Sequence, residues 1–299
     1  MHRRSCLGLL GFSGNYGAVT YNELIDALAF AMQNYSVIDL STDYGVHYNL
    51  VETIKNMDLK NTRAKFIYKV GCNYEGNYEV TELIDRTIKD LQAFGRDKIE
   101  CILFHRPSAA KLDSDVEFFR FLTLNYPEIQ VGICTNSQQV YSIYKKNMVI
   151  KVVQVAVNPL DYQGIVSFLN TLNEDSVSVQ ARSILSSGLL SGKYCHNSVF
   201  IDRMRSRYHN RDLKSRYRNR IDTALEIVTY IGDEHGVSTC DVPVFLYSLF
   251  GNMSNIDLVI RGGSSLKQIS DNLINISINE TGVSGFMTKM EVDWSCEYV

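Results

Sequence analysis

Residues 20–40 read TYNELIDALAFAMQNYSVIDL, and two structural periods meet inside that stretch. Thr20 and Glu23 have capping-box spacing, in which a hydroxyl and a carboxylate satisfy the free backbone N–H groups of a helix start. Leu24, Ala27, Leu28 and Ala31 follow at the i, i+3, i+4, i+7 positions of one helix face. At Ser36 the period changes. Ser36-Val37-Ile38-Asp39-Leu40 is short, apolar and β-branched, the pattern of a buried strand.

The alternation extends in both directions. Upstream, the apolar run that follows Met1-His2-Arg3-Arg4 breaks at Ser13-Gly14-Asn15 and is too short for a secretory leader, so it is read as a first strand. Downstream, strand-like runs occupy 65–70, 99–104, 129–133, 150–157, 177–181 and 256–260. Helical patterns lie between them at 80–94 (closed by Gly95), 114–122, 137–144, 163–172 and 222–235 (closed by Gly236), and another begins near Ser265. Eight strands alternating with helices, with near-continuous apolar strands and no composition break, predict one parallel-sheet α/β domain spanning 1–299. At this length a closed (β/α)8 barrel is favoured over an open doubly wound sheet. The first turn, Gly11-Phe12-Ser13-Gly14-Asn15-Tyr16-Gly17, also lacks the glycine spacing of a Rossmann phosphate loop. An arginine-rich loop insertion is expected at about 195–220.

Composition narrows the function classes. Hydrophobic residues make up 45% of the 299 and charged residues 21%, as in ordinary globular proteins. A formal charge of -3 supplies no basic field for nucleic acid or anionic lipid, so neither is an expected partner. No run approaches the ~18–20 apolar residues of a membrane span. The seven cysteines are scattered, with no Cys-x-x-Cys pair and no zinc-ligand spacing. Reduced thiols, no metal and a cytoplasmic setting are therefore expected, and the sequon-like triplets at Asn34, Asn252, Asn275 and Asn279 are discounted.

In such a barrel the active site lies at the carboxyl ends of the strands, so inward-facing polar residues there are the candidates. Side chains alternate along a strand, which puts Asp39 on the face of Val37, Lys69 on that of Ile67, His105 on that of Leu103 and Gln154 on that of Val152. Tyr44 follows Asp39 on the next loop. A phenol of ordinary pKa ~10 is a slow acid or base, but a neighbouring ammonium favours its phenolate, and Lys69 is expected to lower the Tyr44 pKa in this way. A buried lysine keeps its proton only beside a carboxylate, which gives Asp39 its task. His105 is expected to hydrogen-bond a substrate carbonyl oxygen.

Ile38-Asp39-Leu40-Ser41-Thr42-Asp43-Tyr44-Gly45, Tyr68-Lys69-Val70-Gly71 and Leu103-Phe104-His105-Arg106-Pro107 together resemble the motifs of the aldo-keto reductases over nearly the whole chain. The resemblance implies that Tyr44 gives a proton to a carbonyl oxygen while NAD(P)H supplies hydride to the carbon, with Asp39 and Lys69 tuning Tyr44 and His105 orienting the substrate. On the cofactor side it implies Gln154 for the carboxamide, together with Cys134, Thr135 and Asn136, which replace the family's Gly-Val-Ser-Asn ending. Arg182 stands where the family often has a tyrosine stacked on nicotinamide, and an arginine plane also stacks on a ring. Ser183, Leu185, Gly188, Leu190, Gly192 and Lys193 follow in the matching Gly-Leu-Leu-x-Gly-Lys-Tyr region. Gly262, Gly263, Ser264, Ser265, Gln268, Asp271 and Asn272 resemble the adenosine-phosphate segment, where backbone N–H groups at a helix start suit an anion.

NADPH is the expected cofactor and NADH is not excluded; the partner is a small carbonyl or alcohol compound, with phosphorylated and sugar-like ones among the candidates, and the eight basic residues between 203 and 220 have two open readings, a grip on the pyrophosphate or on a phosphorylated or nucleotide-linked substrate, or a solvated run. Those residues are Arg203, Arg205, Arg207, Arg211, Lys214, Arg216, Arg218 and Arg220. Two other readings stay open. One is a nicotinamide-nucleotide-binding regulatory or assembly subunit on the same barrel, the other a barrel lyase or epimerase.

Overall fold

A computed structural model describes residues 4–59, 61–71, 79–195, 197–206, 214–276, 278, 280–292 and 294. Its eight strands, all parallel to their neighbours, close into a barrel in sequence order. They are β1 (Cys6–Gly8), β2 (Val37–Ser41), β3 (Lys65–Val70), β4 (Ile99–His105), β5 (Gln130–Cys134), β6 (Val152–Ala156), β7 (Ser178–Arg182) and β8 (Leu258–Gly262). The helices are α1 (Tyr21–Asn34), α2 (Leu50–Lys55), α3 (Val80–Phe94), α4 (Leu112–Asn125), α5 (Gln138–Lys145), α6 (Tyr162–Glu174), α7 (Lys214–His235), α8 (Val242–Asn252), α9 (Leu266–Asp271) and α10 (Glu280–Val292). Among the described residues no helix is long and apolar enough to cross a membrane.

The helix starts follow from local chemistry. Thr20 and Glu23 form the expected capping box on α1, and Asn49, Ser137 and Ser265 cap α2, α5 and α9 through their side-chain oxygens. The buried stripe of α1, Leu24, Ala27, Leu28 and Ala31, is the one its spacing predicts.

Helices α2 and α10 have no counterpart in the sequence reading, and three further elements depart from it. The first strand is short: Leu9–Phe12 leave it and coil into a 3-10 turn. There Gly11 lies so close to the backbone of Gly263 that a Cβ would fall 2.0 Å from its carbonyl oxygen. Helix α7 starts at Lys214, upstream of the expected 222. Helix α8 was not anticipated because Val242 and Val244 to Phe250 are all buried, which erases the amphipathic period that betrays a surface helix.

Inside the barrel, Cys6, Val37, Ile67, Cys101, Leu103, Cys134, Val152, Leu258 and Ile260 make a closed apolar plug, separate from the larger layer between strands and helices. It is a packed core and not a pore. The plug tolerates no added volume at Gly132, where a Cβ would sit 1.9 Å from the Val152 carbonyl oxygen and 2.9 Å from Leu103. Gly132→Ala is therefore expected to destabilise the fold at or above the upper end of roughly 1–3 kcal/mol, read as a lower midpoint in urea unfolding. An unchanged midpoint would show that β5 and β6 do not approach as described.

Candidate active site

The strand ends above the plug carry the polar side chains. Val37, Asp39 and Ser41 alternate to one face of β2, Ile67 and Lys69 to one face of β3, and Leu103 and His105 to one face of β4. All four residues expected to do chemistry meet there. The Lys69 ammonium donates to Asp39 Oδ1 at 2.5 Å and to the Tyr44 hydroxyl at 2.8 Å. Tyr44, Asp39 and Lys69 are 8%, 2% and 1% exposed, so the chain of contacts is almost sealed from water. Because Lys69 donates to the phenol oxygen, the phenol keeps its own hydrogen to give elsewhere.

The electrostatic balance differs from the expectation in one respect. Burial pushes the Tyr44 phenol up and Lys69 pulls it down, and burial wins, leaving its pKa at about 12. Tyr44 is a phenol at neutral pH, an acid rather than a base. For Lys69, burial alone works against the charged form, but the Asp39 carboxylate outweighs it and the pKa is raised. The ammonium persists.

Gln154, fully buried on β6, closes this network from across the barrel. Its amide donates to Asp39 Oδ2 at 2.8 Å and to Gln180 at 3.3 Å, and its oxygen lies 3.4 Å from the Lys69 ammonium and 3.7 Å from the Cys134 thiol. The side chain expected to meet a carboxamide is thus engaged in orienting Asp39. Burial raises the Cys134 thiol to about 11, so it is an uncharged neighbour of the network.

His105 lies edge-on to the Tyr44 ring, with centroids 6.2 Å apart. Its Nδ1 is 3.0 Å from the Ser41 hydroxyl and 3.1 Å from Asp43 Oδ2. Burial lowers the His105 pKa, opposed by the Asp43 hydrogen bond and reinforced by the positive charges of Lys69 and Arg182. Ser41 and Asp43 join the site through His105, beyond the four residues expected to do chemistry. Ser41 shares the inward parity of Asp39, which is the sequence signal that marked it.

At the end of β7, Arg182 influences Tyr44, His105 and Cys134 electrostatically. Its Nη1 donates to the Ser183 hydroxyl at 3.2 Å, while its buried Nε has no hydrogen-bond partner among the described residues. A buried unmet donor is costly, which marks a place for an acceptor-bearing ligand. The following turn is strained: Ser183, Ser186, Ser187 and Gly188 take positive φ, and such clusters concentrate at ligand sites. Leu185 is half-buried, Leu190 buried and Lys193 exposed. Gly192 also has positive φ, with Thr239 against it.

The remaining expected cofactor residues are mostly paired within the protein. Thr135 caps the Ser137 N–H, and Asn136 makes a two-way bridge with the Ala156 backbone at 2.8 and 2.9 Å. Tyr247 OH accepts from the Gly262 N–H and donates to its carbonyl, which also accepts from the Asn272 amide. The Gln268 side-chain oxygen accepts from the Ser264 N–H at 2.9 Å, Ser265 accepts from the Gln268 N–H, and Asp271 pairs with Lys267. The N–H groups of Gly262, Ser264 and Gln268 therefore have protein acceptors. Gly263, half-buried, abuts Ile269.

In the arginine-rich loop, Arg205 pairs with Asp202 amid the rings of Tyr16, Tyr194 and Phe200. Arg220, which lies in helix α7 and not in a loop, grips Asp161 through both Nη nitrogens, at 2.6 and 3.0 Å, and donates to Ser186. Both brace the fold. Arg207 and Arg211 lie outside the described residues, as do the side chains of Lys214, Arg216 and Arg218.

The profile of the aldo/keto reductase family matches residues 5–281. The chain belongs to that family. As an aldo/keto reductase it is an oxidoreductase by family, and its barrel is shared by solved structures of low sequence identity. A glycerol dehydrogenase of Gluconobacter oxydans is 17% identical with a TM-score of 0.67, covering 98% of this chain and 94% of its own. An aldo/keto reductase of Klebsiella pneumoniae, solved with NADP and acetate, is 14% identical with a TM-score of 0.65, covering 96% and 91%. A holo-form aldo-keto reductase of Bacillus halodurans is 16% identical with a TM-score of 0.64, covering 96% and 90%. No curated protein matches the chain.

Proposed function

We propose that the protein reduces an aldehyde or ketone to the alcohol with NADPH or NADH, or runs the reverse oxidation. The observation that carries this reading is the buried Asp39–Lys69–Tyr44 chain, with contacts of 2.5 and 2.8 Å, which ends in a protonated phenol. The cofactor, when bound, supplies a hydride to the carbonyl carbon. Tyr44 gives its proton to the carbonyl oxygen, and the phenolate left behind is stabilised by the Lys69 ammonium already in contact with it. Asp39 keeps Lys69 charged, and Gln154 fixes the carboxylate that does so.

The residues at the end of β7 fit a nicotinamide: Arg182 offers a plane and an Nε donor that has no partner among the described residues, with Ser183 beside it. The segment Gly262–Asn272 is the proposed adenosine end. The cofactor test is fluorescence titration with NADPH and NADH side by side, together with cofactor oxidation in the presence of aldehydes. Absence of binding to either would overturn the reading and favour a lyase or epimerase.

A second reading has one observation in its favour. Gln154 is engaged in the core, so a site that binds the nucleotide without turnover, in a regulatory or assembly subunit, is the competing account. Tight NADPH binding with no oxidation across a panel of aldehydes would select it.

The phenol pKa of about 12 sets the pH response. Oxidation needs the phenolate, which is a minor form below that value, so oxidation is expected to accelerate about tenfold per pH unit across the range in which the enzyme is stable. Reduction starts from the phenol, and Tyr44 titration does not limit it there. Paired pH–rate profiles check this, and an oxidation plateau below pH ~10 attributable to Tyr44 would contradict it.

A further inference from the structure

We propose that Asp43 acts as a positioning residue that fixes His105 as its Nδ1–H tautomer, so that Nε2 meets the substrate as a hydrogen-bond acceptor and selects carbonyl compounds with a hydroxyl on the neighbouring carbon. The proposal rests on the carbonyl-reductase reading and deepens it.

Asp43 Oδ2 and the Ser41 hydroxyl both lie against Nδ1, at 3.1 and 3.0 Å. A carboxylate has only lone pairs to offer, so Nδ1 must carry the proton that joins them. In a neutral imidazole the other nitrogen is then a bare lone pair. Among the described residues Nε2 has no protein hydrogen-bond partner, and the ring stands beside Tyr44. A carbonyl oxygen has no proton to give to Nε2. A hydroxyl does. With the carbonyl oxygen on the Tyr44 phenol, a hydroxyl one carbon away reaches the imidazole, and in the reverse direction the matching substrate is a vicinal diol.

The charges around the ring keep it neutral in the working range. Lys69 from β3 and Arg182 from β7 oppose a second proton, as does burial, while Asp43 favours one; the Cys134 thiol, on the paired strand β5, is uncharged. Below the His105 pKa, Nε2 gains a proton and becomes a donor, so the hydroxyl selectivity should fade as the pH drops through that point.

The test uses the full chain labelled with nitrogen-15 at histidine, with the His105 signals assigned by their loss in H105N. The wild type is expected to show a protonated Nδ1 and an unprotonated Nε2 at neutral pH, and to prefer glyceraldehyde to propanal by roughly tenfold or more in kcat/KM, the size of one well-made hydrogen bond. In D43A the Ser41 hydroxyl is free to donate to Nδ1, so the proton should move to Nε2 and the preference should fall toward unity through loss of glyceraldehyde turnover. S41A keeps the carboxylate and should keep both the tautomer and the preference.

A wild-type Nε2–H tautomer, or D43A with tautomer and preference unchanged, would overturn the proposal. If neither aldehyde is turned over, the carbonyl-reductase reading fails and the selectivity falls with it. The nitrogen spectrum still decides the tautomer independently of turnover.

Discussion

Tyr44→Phe is expected to lower aldehyde turnover by roughly 10²–10⁴-fold, the usual contribution of a positioned general acid, while NADPH binding stays within a small factor of wild type. The substitution removes one oxygen and little else. The ring remains, with the Lys69 ammonium 4.9 Å from its centroid, and Lys69 retains Asp39 and Gln154 as partners. The fold should survive, because the lost contact is one charge-assisted hydrogen bond of about 1.5–3 kcal/mol in a network that stays otherwise intact. Steady-state turnover and fluorescence titration on the same preparation separate the two effects. A Phe variant that turns over at the wild-type rate would remove Tyr44 from its role.

Asp39→Leu carries the largest expected cost in stability. It leaves the Lys69 ammonium buried at 1% exposure without its carboxylate, and orphaning one member of a buried ion pair costs about 3–5 kcal/mol. The lysine responds by losing its proton, because the carboxylate that offset its burial is gone. Turnover should therefore fall together with stability. The double variant Asp39→Leu/Lys69→Met removes both charges and is expected to recover most of the lost stability, since a well-packed apolar pair replaces a buried ion pair at little cost, yet to stay inactive. Denaturant unfolding of the two single variants and the double closes the cycle. A double variant no more stable than Asp39→Leu would show that the pair does not act as a unit.

Much of this was legible in the sequence for a simple reason. Strand parity is strict, so Asp39, Lys69 and His105 could be turned inward from the apolar residues two positions before each. The same rule turns Ser41 inward, but a serine offers no charge to suggest a partner. Gln154 shows the limit of local reading. Its inward parity was plain, but its partner Asp39 lies 115 residues away across the closed barrel, and only closure brings β6 opposite β2.

The Tyr44 pKa is a second case. Sequence supplied both groups that act on the phenol but not the depth of burial that decides between them, and the expected lowering became a rise. The Gly262–Asn272 segment is a third, where the types of residue were right for an anion but the Gln268 side chain reaches back to take the Ser264 N–H.

Hydride chemistry at the Tyr44 pocket is tested most directly by following the label from NADPH deuterated at the transferable position of the nicotinamide, with glyceraldehyde as acceptor and the product read by mass spectrometry. The expected result is one deuterium on the new carbinol carbon, formed by the wild type and nearly absent with Tyr44→Phe. A reduced product without the label, or labelled product formed equally well by both proteins, would contradict the account.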